Sequence, residues 1–227
     1  QLKAGDSIGI VCGKGNNAGD GFALARLLLL NQYKVKILLL YPEEQFSKDA
    51  LTNFRILKKL EDKAPISFNS FKDFSSLVFL ESCKIIIDAI LGSGFCGDLN
   101  EELSSIINRI NSLNSLKVAI DIPTGLNADT GYGKAVFNAD LTITLAGLKP
   151  GLLINRAVEF CGKVECENIG IDASWINSSS DIFLSSKEDF IDLFPKRKKT
   201  GNKYTSGKVL SIAGSVQYPG AADFVSF

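Results

Sequence analysis

The sequence predicts an α/β fold in which helices cover both faces of a mostly parallel sheet. Short, nearly continuous apolar runs alternate with longer segments of helical periodicity over most of the chain. Strands that are apolar along their whole length are typical of parallel sheets, which are buried on both faces. A glycine-rich segment between the first apolar run and the first helical segment supports this class, because such loops open βαβ units.

The first βαβ unit is predicted at the start of the chain. Residues 7–12 are short and apolar, which predicts a strand, and the glycine-rich segment 13–21 follows directly. An apolar helical stretch over residues 22–31 and a second strand over residues 34–40 complete the unit.

The later elements are predicted from the same two patterns. Apolar residues at three- and four-residue spacing predict a helix over residues 47–60. Further helices are predicted over residues 70–82 and 99–113. Strands are predicted over residues 84–91, 116–122 and 139–146, and within residues 162–171.

The composition changes towards the end of the chain, which predicts a domain boundary between residues 171 and 187. Residues 177–180 form a polar segment, and residues 196–199 are all basic. Residues 208–215 then begin a fresh strand with its own glycine-rich exit, and a helix is expected to start near residue 221. The chain begins at Gln1, contains no Met and stops inside this helix start, so we expect both ends to be trimmed.

Composition excludes several classes of function. The 25 basic and 25 acidic residues give a net charge of zero, which argues against an electrostatic nucleic-acid binder. No apolar run approaches the length of a membrane span. The chain has no His, which removes Ser–His and Cys–His nucleophiles and His-bearing metal sites. Its five cysteines include no CxxC pair, so we expect reduced thiols in a cytoplasmic protein.

Polar clusters follow three of the predicted strands. Because the carboxyl ends of parallel strands meet at one edge of a sheet, we expect these clusters to converge on one site. The clusters are residues 16–20, Asp88 with residues 92–98, and Asp121 with Thr124 and Gly125.

The glycines before the first helix suggest an anion site. They allow backbone N–H groups at a helix N-terminus to approach a phosphate, although a tight turn would need the same residues. The spacing of Gly13, Gly15 and Gly19 departs from the dinucleotide-binding fingerprint.

Oxygen-bearing side chains in the clusters suggest two further roles. Asn17, Asp88 and Thr124 could supply the oxygen ligands that hard cations prefer, or they could cap helices and turns. Asp88 and Asp121 lie at the ends of otherwise apolar strands, where a carboxylate is costly unless it is paired or functional. Either is a candidate general acid or base, the alternative being a carboxylate that binds loop amides.

The ordered motifs of residues 15–21, 88–94, 121–125 and 129–131 resemble the NAD(P)HX epimerase domain. The resemblance covers roughly residues 5–172. It implies a Rossmann-like three-layer sandwich that interconverts the R and S forms of hydrated NADH or NADPH (NADHX and NADPHX) and binds potassium. Ala18 stands where the family often has Gly, and Thr124 replaces a common Ser but keeps the hydroxyl.

The resemblance also assigns roles residue by residue. It implies that Asn17, Asp88 and Thr124 are potassium ligands, and that Asp121 performs acid–base chemistry at the nicotinamide C6 centre. The substrate-binding positions that it implies are Asn16, Asn17, Ala18, Gly19, Asp20, Gly92, Ser93, Gly94, Phe95, Cys96, Gly97, Asp98 and Asp121. The family normally has helical sequence before the first strand, so we expect the part of the substrate pocket that this sequence forms to be missing.

The tail resembles the opening of a second family. Residues 200–210 and 213–221 are similar to the start of the ADP- or ATP-dependent NAD(P)HX dehydratase, which implies a ribokinase-like α/β domain and a substrate-binding role for Ala221. The parent protein would then be a bifunctional repair enzyme that also uses ADP or ATP with Mg²⁺. The expected organisation is an epimerase domain lacking its N-terminal part at residues 1–172, a linker at 173–186, and a truncated dehydratase start at 187–227, without dehydratase activity.

Two other functions are compatible with the residues. A nicotinamide-dependent oxidoreductase would share the βαβ start but bind intact NAD(H) and transfer a hydride. A non-catalytic Rossmann-like module would bind a nucleotide or a protein partner. The resemblance implies a small-molecule substrate. The composition predicts no nucleic-acid or membrane partner, and the sequence leaves open whether the protein is a homo-oligomer.

Overall fold

The computed structural model describes residues 2–178, 181–191, 200–201 and 210–226. Its contacts divide the chain into two units, residues 1–180 and residues 181–227. Among the described residues, no helix combines the length and apolarity needed to cross a membrane.

The first unit is built on a sheet of seven parallel strands in the order β3-β2-β1-β4-β5-β6-β7. The chain runs outward from β1 through β2 to β3, then crosses to the other side of β1 to continue at β4. The strands are β1 (Ser7–Cys12), β2 (Lys34–Leu39), β3 (Ile66–Ser70), β4 (Ile85–Ala89), β5 (Leu116–Ile120), β6 (Leu141–Leu145) and β7 (Lys163–Glu167).

Helices cover both faces of this sheet. The helices of the first unit are α1 (Asn16–Leu30), α2 (Lys48–Lys58), α3 (Glu101–Asn111) and the short α4 (Ala173–Ser178). Phe22 of α1 and Phe54 of α2 pack with Ile8, Ile10 and Ile37 on one face. On the other face, α3 and a 3₁₀ helix at Phe74–Leu80 pack against the alternate residues of the strands, and the 3₁₀ helix buries Leu77 and Leu80 there. The predicted α/β three-layer fold with a parallel sheet is confirmed.

The burial of each strand follows its place in the sheet. In β4, Ile86 and Ile87 point to opposite faces and both are buried, as expected for a central strand with helices on each side. The edge strand β7 exposes three of its five residues and, among the described strands, pairs with β6 on one side only.

The helix predicted over residues 70–82 was wrong in type and extent. The structure has strand β3 at Ile66–Ser70, a turn, and the 3₁₀ helix Phe74–Leu80. Ile66 and Phe68 alternate with polar residues as an edge strand requires. Asp73 accepts a hydrogen bond from the backbone N–H of Ser75 at 2.8 Å, and this cap starts the 3₁₀ helix after the strand has ended.

Helix α1 begins at Asn16, six residues before the predicted start at residue 22. Glycine disfavours helices, so the segment containing Gly19 and Gly21 was predicted to be a loop. Both glycines are required by packing instead. A Cβ atom at Gly21 would lie 2.6 Å from the Cβ of Ala89, and one at Gly19 would lie 3.3 Å from the Cα of Ala50.

The second unit contains helix α5 (Lys187–Ile191) and helix α6 (Gly220–Ser226) among its described residues. The predicted strand over residues 208–215 was wrong for the part that is described, because residues 210–215 form no strand. Leu210 and Ile212 are exposed, and no described segment of this unit pairs with them. Residues 196–199 and 202–209 lie outside the described residues, and the ribokinase-like domain start stays a prediction.

Candidate active site

The site lies at the point where the strand order reverses, between β1 and β4. In open α/β sheets, ligands bind in the crevice at this point, beyond the carboxyl ends of the strands. A cavity of about 560 Å³ opens here. It is lined by Gly15, Asn16, Asn17, Asp20, Ile90, Leu91, Gly92, Ser93, Gly94, Phe95 and Asp121.

The N-terminus of α1 forms one wall of this cavity. Gly15 is the N-cap residue, and no side chain accepts a hydrogen bond from the first turn of the helix. Among the hydrogen bonds of the described residues, the backbone N–H groups of Asn16 and Asn17 have no acceptor, so the start of α1 can receive an anion. Asn16 is held by Ser47, whose hydroxyl donates to its side-chain oxygen at 2.7 Å.

Asp121 forms the opposite side of the cavity, directly after β5. Its backbone adopts a left-handed conformation with φ of 67°, which a residue other than Gly rarely takes. Its carboxylate accepts hydrogen bonds from the backbone N–H of Ser93 at 3.0 Å and from Lys149 Nζ at 2.6 Å. Burial would raise the pKa of Asp121, but these hydrogen bonds and the Lys149 charge bring it below its ordinary value.

Lys149 is the charged residue of the site that was not predicted from the sequence, and the lining residues Ile90 and Leu91 were not predicted either. Lys149 lies beyond β6, apart from the three polar clusters, and its side chain is 20% exposed. Its position in the sequence could have predicted it, because the loop after β6 leaves the sheet at the same edge as the loops after β1, β4 and β5. A charged residue close behind a strand that ends at this edge is a candidate for the site.

Asp20 brings a second carboxylate to the cavity. It lies in the first turns of α1, and its pKa is raised by partial burial and by the negative charge of Asp121. The two carboxylates therefore differ. Lys149 stabilises the ionised form of Asp121, whereas the Asp20 carboxylate makes no hydrogen bond or ion pair with another described residue.

Beneath the cavity, the three predicted cation ligands lie in one buried cluster. Asp88 and Thr124 are fully buried, and Asn17 is 7% exposed. Thr124 donates to Asp88, and its hydroxyl accepts the N–H of Leu91 at 3.0 Å. Leu91 in turn offers its carbonyl oxygen to the Asn17 amide at 2.9 Å. Burial raises the pKa of Asp88 to about 6 despite the hydrogen bonds that it accepts from Thr124 and Ile90.

This cluster contains an unsatisfied acceptor. The side-chain oxygen of Asn17 is buried without a hydrogen-bond partner, while its NH₂ group donates to Leu91 and Ile120. A buried acceptor without a partner is costly, and a cation would satisfy it. Among the described residues there is no group of three or more His, Cys, Asp or Glu that could hold a metal. One carboxylate with neutral oxygens therefore fits a weakly charged, oxygen-liganded cation rather than a transition metal.

The remaining predicted site residues of the first unit do not line the cavity. Ala18 and Gly19 are buried on the side of α1 that faces the core and α2. Cys96 is exposed, and Gly97 and Asp98 line a neighbouring depression together with Tyr132 and Lys134. Ala221 lies in α6 of the second unit. Their predicted roles in substrate binding stay predictions.

Sequence comparison gives relatives whose names describe repair of hydrated nicotinamide nucleotides. The NAD(P)H-hydrate epimerase of Oenococcus oeni is 40% identical over 164 residues, which are 71% of this chain and 73% of that protein. The bifunctional NAD(P)H-hydrate repair enzyme of Methanothermobacter thermautotrophicus is 36% identical over 218 residues. This chain spans about 40% of the length of that bifunctional relative, with 94% of the chain aligned.

Structure comparison supports the fold. The crystal structure of yeast ynu0 superposes with a TM-score of 0.63 at 22% identity, covering 83% of this chain and 78% of that one. The family model described as YjeF-related protein N-terminus matches residues 2–151, which include all of the lining residues and the buried cluster. The chain therefore belongs to the family of YjeF-related protein N-termini.

Proposed function

We propose that the first unit is an NAD(P)H-hydrate epimerase, which interconverts the R and S forms of NADHX and NADPHX. The observation that carries this proposal is the Asp121 carboxylate. It faces a cavity at the switch point of a Rossmann-like sheet and is paired with Lys149 on its other side. The names of the relatives that cover this unit support the same activity.

The cavity suits a dinucleotide. The free N–H groups at the start of α1 can bind the negatively charged diphosphate, aided by the helix dipole. Gly15 leaves room for it, because a Cβ atom at this position would meet nothing within 4 Å. The hydrated nicotinamide ring would then face Asp121 and the loop that contains Gly92 and Ser93.

Epimerisation at C6 requires a proton acceptor and donor but no oxidant. The C6 atom of the substrate carries a hydroxyl group and is bonded to the ring nitrogen N1. Asp121 would take the hydroxyl proton while the C6–N1 bonding electrons pass to N1, and it would then deliver the same proton to N1. Rotation of the resulting aldehyde and reversal of these steps close the ring on the other face. The carboxylate ends as it began, as general acid–base catalysis requires.

Asn17, Asp88 and Thr124 would hold a potassium ion. The partnerless oxygen of Asn17 and the buried carboxylate of Asp88 support this assignment. When bound, the ion supplies a positive charge that offsets the cost of burying Asp88. The protein residues of the cluster also position the loop after β4, because Thr124 binds the N–H of Leu91 and Asn17 binds its carbonyl oxygen.

The test is the rate at which purified R-NADHX epimerises. It is measured with this protein in potassium and in sodium buffer, against a protein-free blank and the Asp121→Asn variant. We expect a rate well above the blank, a lower rate in sodium, and a rate equal to the blank in the variant. A wild-type rate equal to the blank in both buffers would contradict the proposal.

The same proteins distinguish the two alternative functions. A nicotinamide-dependent oxidoreductase would bind intact NAD⁺ and reduce it in the presence of a hydride donor. A non-catalytic module would bind the nucleotide equally in wild type and Asp121→Asn, with no turnover in either.

We further propose that the second unit begins a dehydratase domain. The bifunctional relatives extend well beyond the length of this chain, which supports the proposal. The parent protein would use ADP or ATP with Mg²⁺, and Ala221 would take part in substrate binding. We expect this chain to show no nucleotide-dependent dehydration of NADHX, whereas a chain extended to the full length of the relatives would show it.

A further inference from the structure

The ammonium group of Lys149 is fixed by three hydrogen bonds. It donates to Asp121 Oδ1 at 2.6 Å, to the Thr144 hydroxyl at 2.9 Å and to the carbonyl oxygen of Leu145 at 2.8 Å. An ammonium group has three N–H donors, so all of them are used. Lys149 therefore has one strongly preferred position, set by the end of β6.

The ion pair is shielded from solvent. The side chains of Lys149 and Asp121 are 20% and 14% exposed, whereas those of the surface pair Lys134 and Asp98 are 82% and 53% exposed. Shielded charges at this distance interact more strongly than exposed ones, because less water screens them.

The charged groups around Asp121 come from three elements. Lys149 approaches from the end of β6, the backbone N–H of Ser93 from the loop after β4, and the carboxylate of Asp20 from α1. Lys149 is the only cation among the described partners of Asp121, and it offsets the repulsion from Asp20.

Asp121 and Lys149 differ in their access to the cavity. Asp121 is one of the lining residues, and Lys149 is not. Lys149 contacts Oδ1 of Asp121 from outside the lining, whereas Oδ2 accepts the N–H of Ser93, which is itself a lining residue. A residue in this position acts on substrate through its partner.

We propose that Lys149 is a positioning residue, which holds the Asp121 carboxylate ionised and in one orientation for proton transfer at C6. This inference rests on the proposed epimerase function. It predicts that loss of the ammonium group lowers kcat while KM changes little, because Lys149 does not line the cavity.

The experiment compares Lys149→Met, Lys149→Arg and wild type, with Lys84→Met as a matched control. Lys84 also pairs with an aspartate, Asp6, but it lies at the amino end of β4, on the opposite edge of the sheet from the site. Epimerisation of R-NADHX is followed as a function of pH in potassium buffer. The Asp121 carboxyl carbon is titrated by ¹³C NMR, which needs no turnover, and thermal melting confirms that each variant folds.

We expect Lys149→Met to lose roughly 10- to 100-fold in kcat at neutral pH. This is at or below the lower end of the ~100- to 10,000-fold that a general acid or base contributes, because Asp121 itself remains. Its Asp121 carboxyl should ionise at higher pH than in wild type, and its rate should recover as pH rises. Lys149→Arg keeps the charge but not the three-bond geometry, so its kcat should be intermediate and its titration close to wild type. Lys84→Met should match wild type in every measurement.

Two results would overturn the inference. One is an active wild type together with a folded Lys149→Met whose kcat, pH profile and Asp121 titration are unchanged. The other is an equal loss in the Met and Arg variants without any shift in titration, which would make Lys149 merely structural. An inactive wild type would overturn the epimerase function, and the catalytic role of Lys149 with it. This holds even if NMR shows that Lys149 controls the ionisation of Asp121.

Discussion

Thr124 donates two hydrogen bonds to Asp88, one to each carboxylate oxygen. Its backbone N–H lies 2.7 Å from Oδ2, and its hydroxyl lies 2.8 Å from Oδ1. The same hydroxyl accepts the N–H of Leu91. One side chain thus joins the ends of β4 and β5 beneath the cavity, and both partners are fully buried.

Replacing Thr124 by Val should destabilise the first unit. Valine has a similar shape but leaves Asp88 Oδ1 with one donor fewer and the Leu91 N–H without an acceptor. Unsatisfied buried groups cost about 1–3 kcal/mol each, so we expect a loss of about 2 kcal/mol or more and a fall in Tm of several degrees. Thr124→Ser keeps the hydroxyl and should melt close to wild type. Equal Tm values for the Val and Ser variants would show that the hydroxyl contributes nothing.

Potassium should stabilise the folded protein through the Asn17, Asp88 and Thr124 cluster. A ligand that binds only the folded state stabilises it by about 2.7 kcal/mol at a concentration of 100 times its Kd. We expect Tm to be higher in potassium than in sodium at equal ionic strength, and the difference to disappear in Asp88→Asn. Asp6→Asn removes a carboxylate from the other edge of the sheet, and this variant should keep the difference in Tm. The same Tm in both salts would argue against a potassium-selective site.

Much of the fold and site followed from local sequence patterns. The buried strands β1 and β4 were predictable because their apolar runs are continuous, and Asp88 and Asp121 stood out because each interrupts such a run. The start of α1 was not predictable, because the close approach of Gly19 and Gly21 to neighbouring elements overrides the low helix propensity of glycine. Lys149 was missed because its partner lies 28 residues away and only the parallel order of β5 and β6 brings them together.

The epimerisation rate of the wild-type protein should change little between about pH 8 and about pH 5. The hydrogen bonds from Lys149 and Ser93 outweigh burial and place the pKa of Asp121 below its usual value of about 3.9. The ionised form of Asp121, which accepts the proton, is therefore lost only when the pH falls below about 5. The measurement is kcat/KM against pH in potassium buffer. A loss of rate with a midpoint near pH 6 would match the raised pKa of Asp88 instead, and would contradict Asp121 as the group that limits the rate.

The five cysteines should react in two classes with a thiol reagent at neutral pH. Cys96 and Cys166 are exposed, and the other three are buried. Burial also raises the pKa of these three thiols, to about 11 for Cys161, so that little thiolate forms. We expect two fast modifications and three that require unfolding, which mass spectrometry can assign.

Bound NADHX should protect Cys96 from the same reagent, because Cys96 follows Phe95 of the cavity lining. It should not protect Cys166 on the edge strand β7. Equal protection of both would contradict substrate binding beside the 92–98 loop.

Gly13 and Gly15 should respond differently to the same substitution, although both lie in the loop before α1. A Cβ atom at Gly13 would lie 2.1 Å from the carbonyl oxygen of Ile90, whereas one at Gly15 would meet nothing within 4 Å. Gly13→Ala must therefore push apart the loops after β1 and β4, at a cost of about 1–3 kcal/mol or more. Gly15 has a φ of −88°, which alanine adopts without strain, so Gly15→Ala should keep the wild-type Tm. Thermal melting of both variants checks this, and the epimerisation assay adds a second comparison. Gly15→Ala is expected to affect only substrate affinity, because Gly15 lines the cavity. Gly13→Ala is expected to lower Tm, because the contact between Gly13 and Ile90 holds the loops after β1 and β4 together.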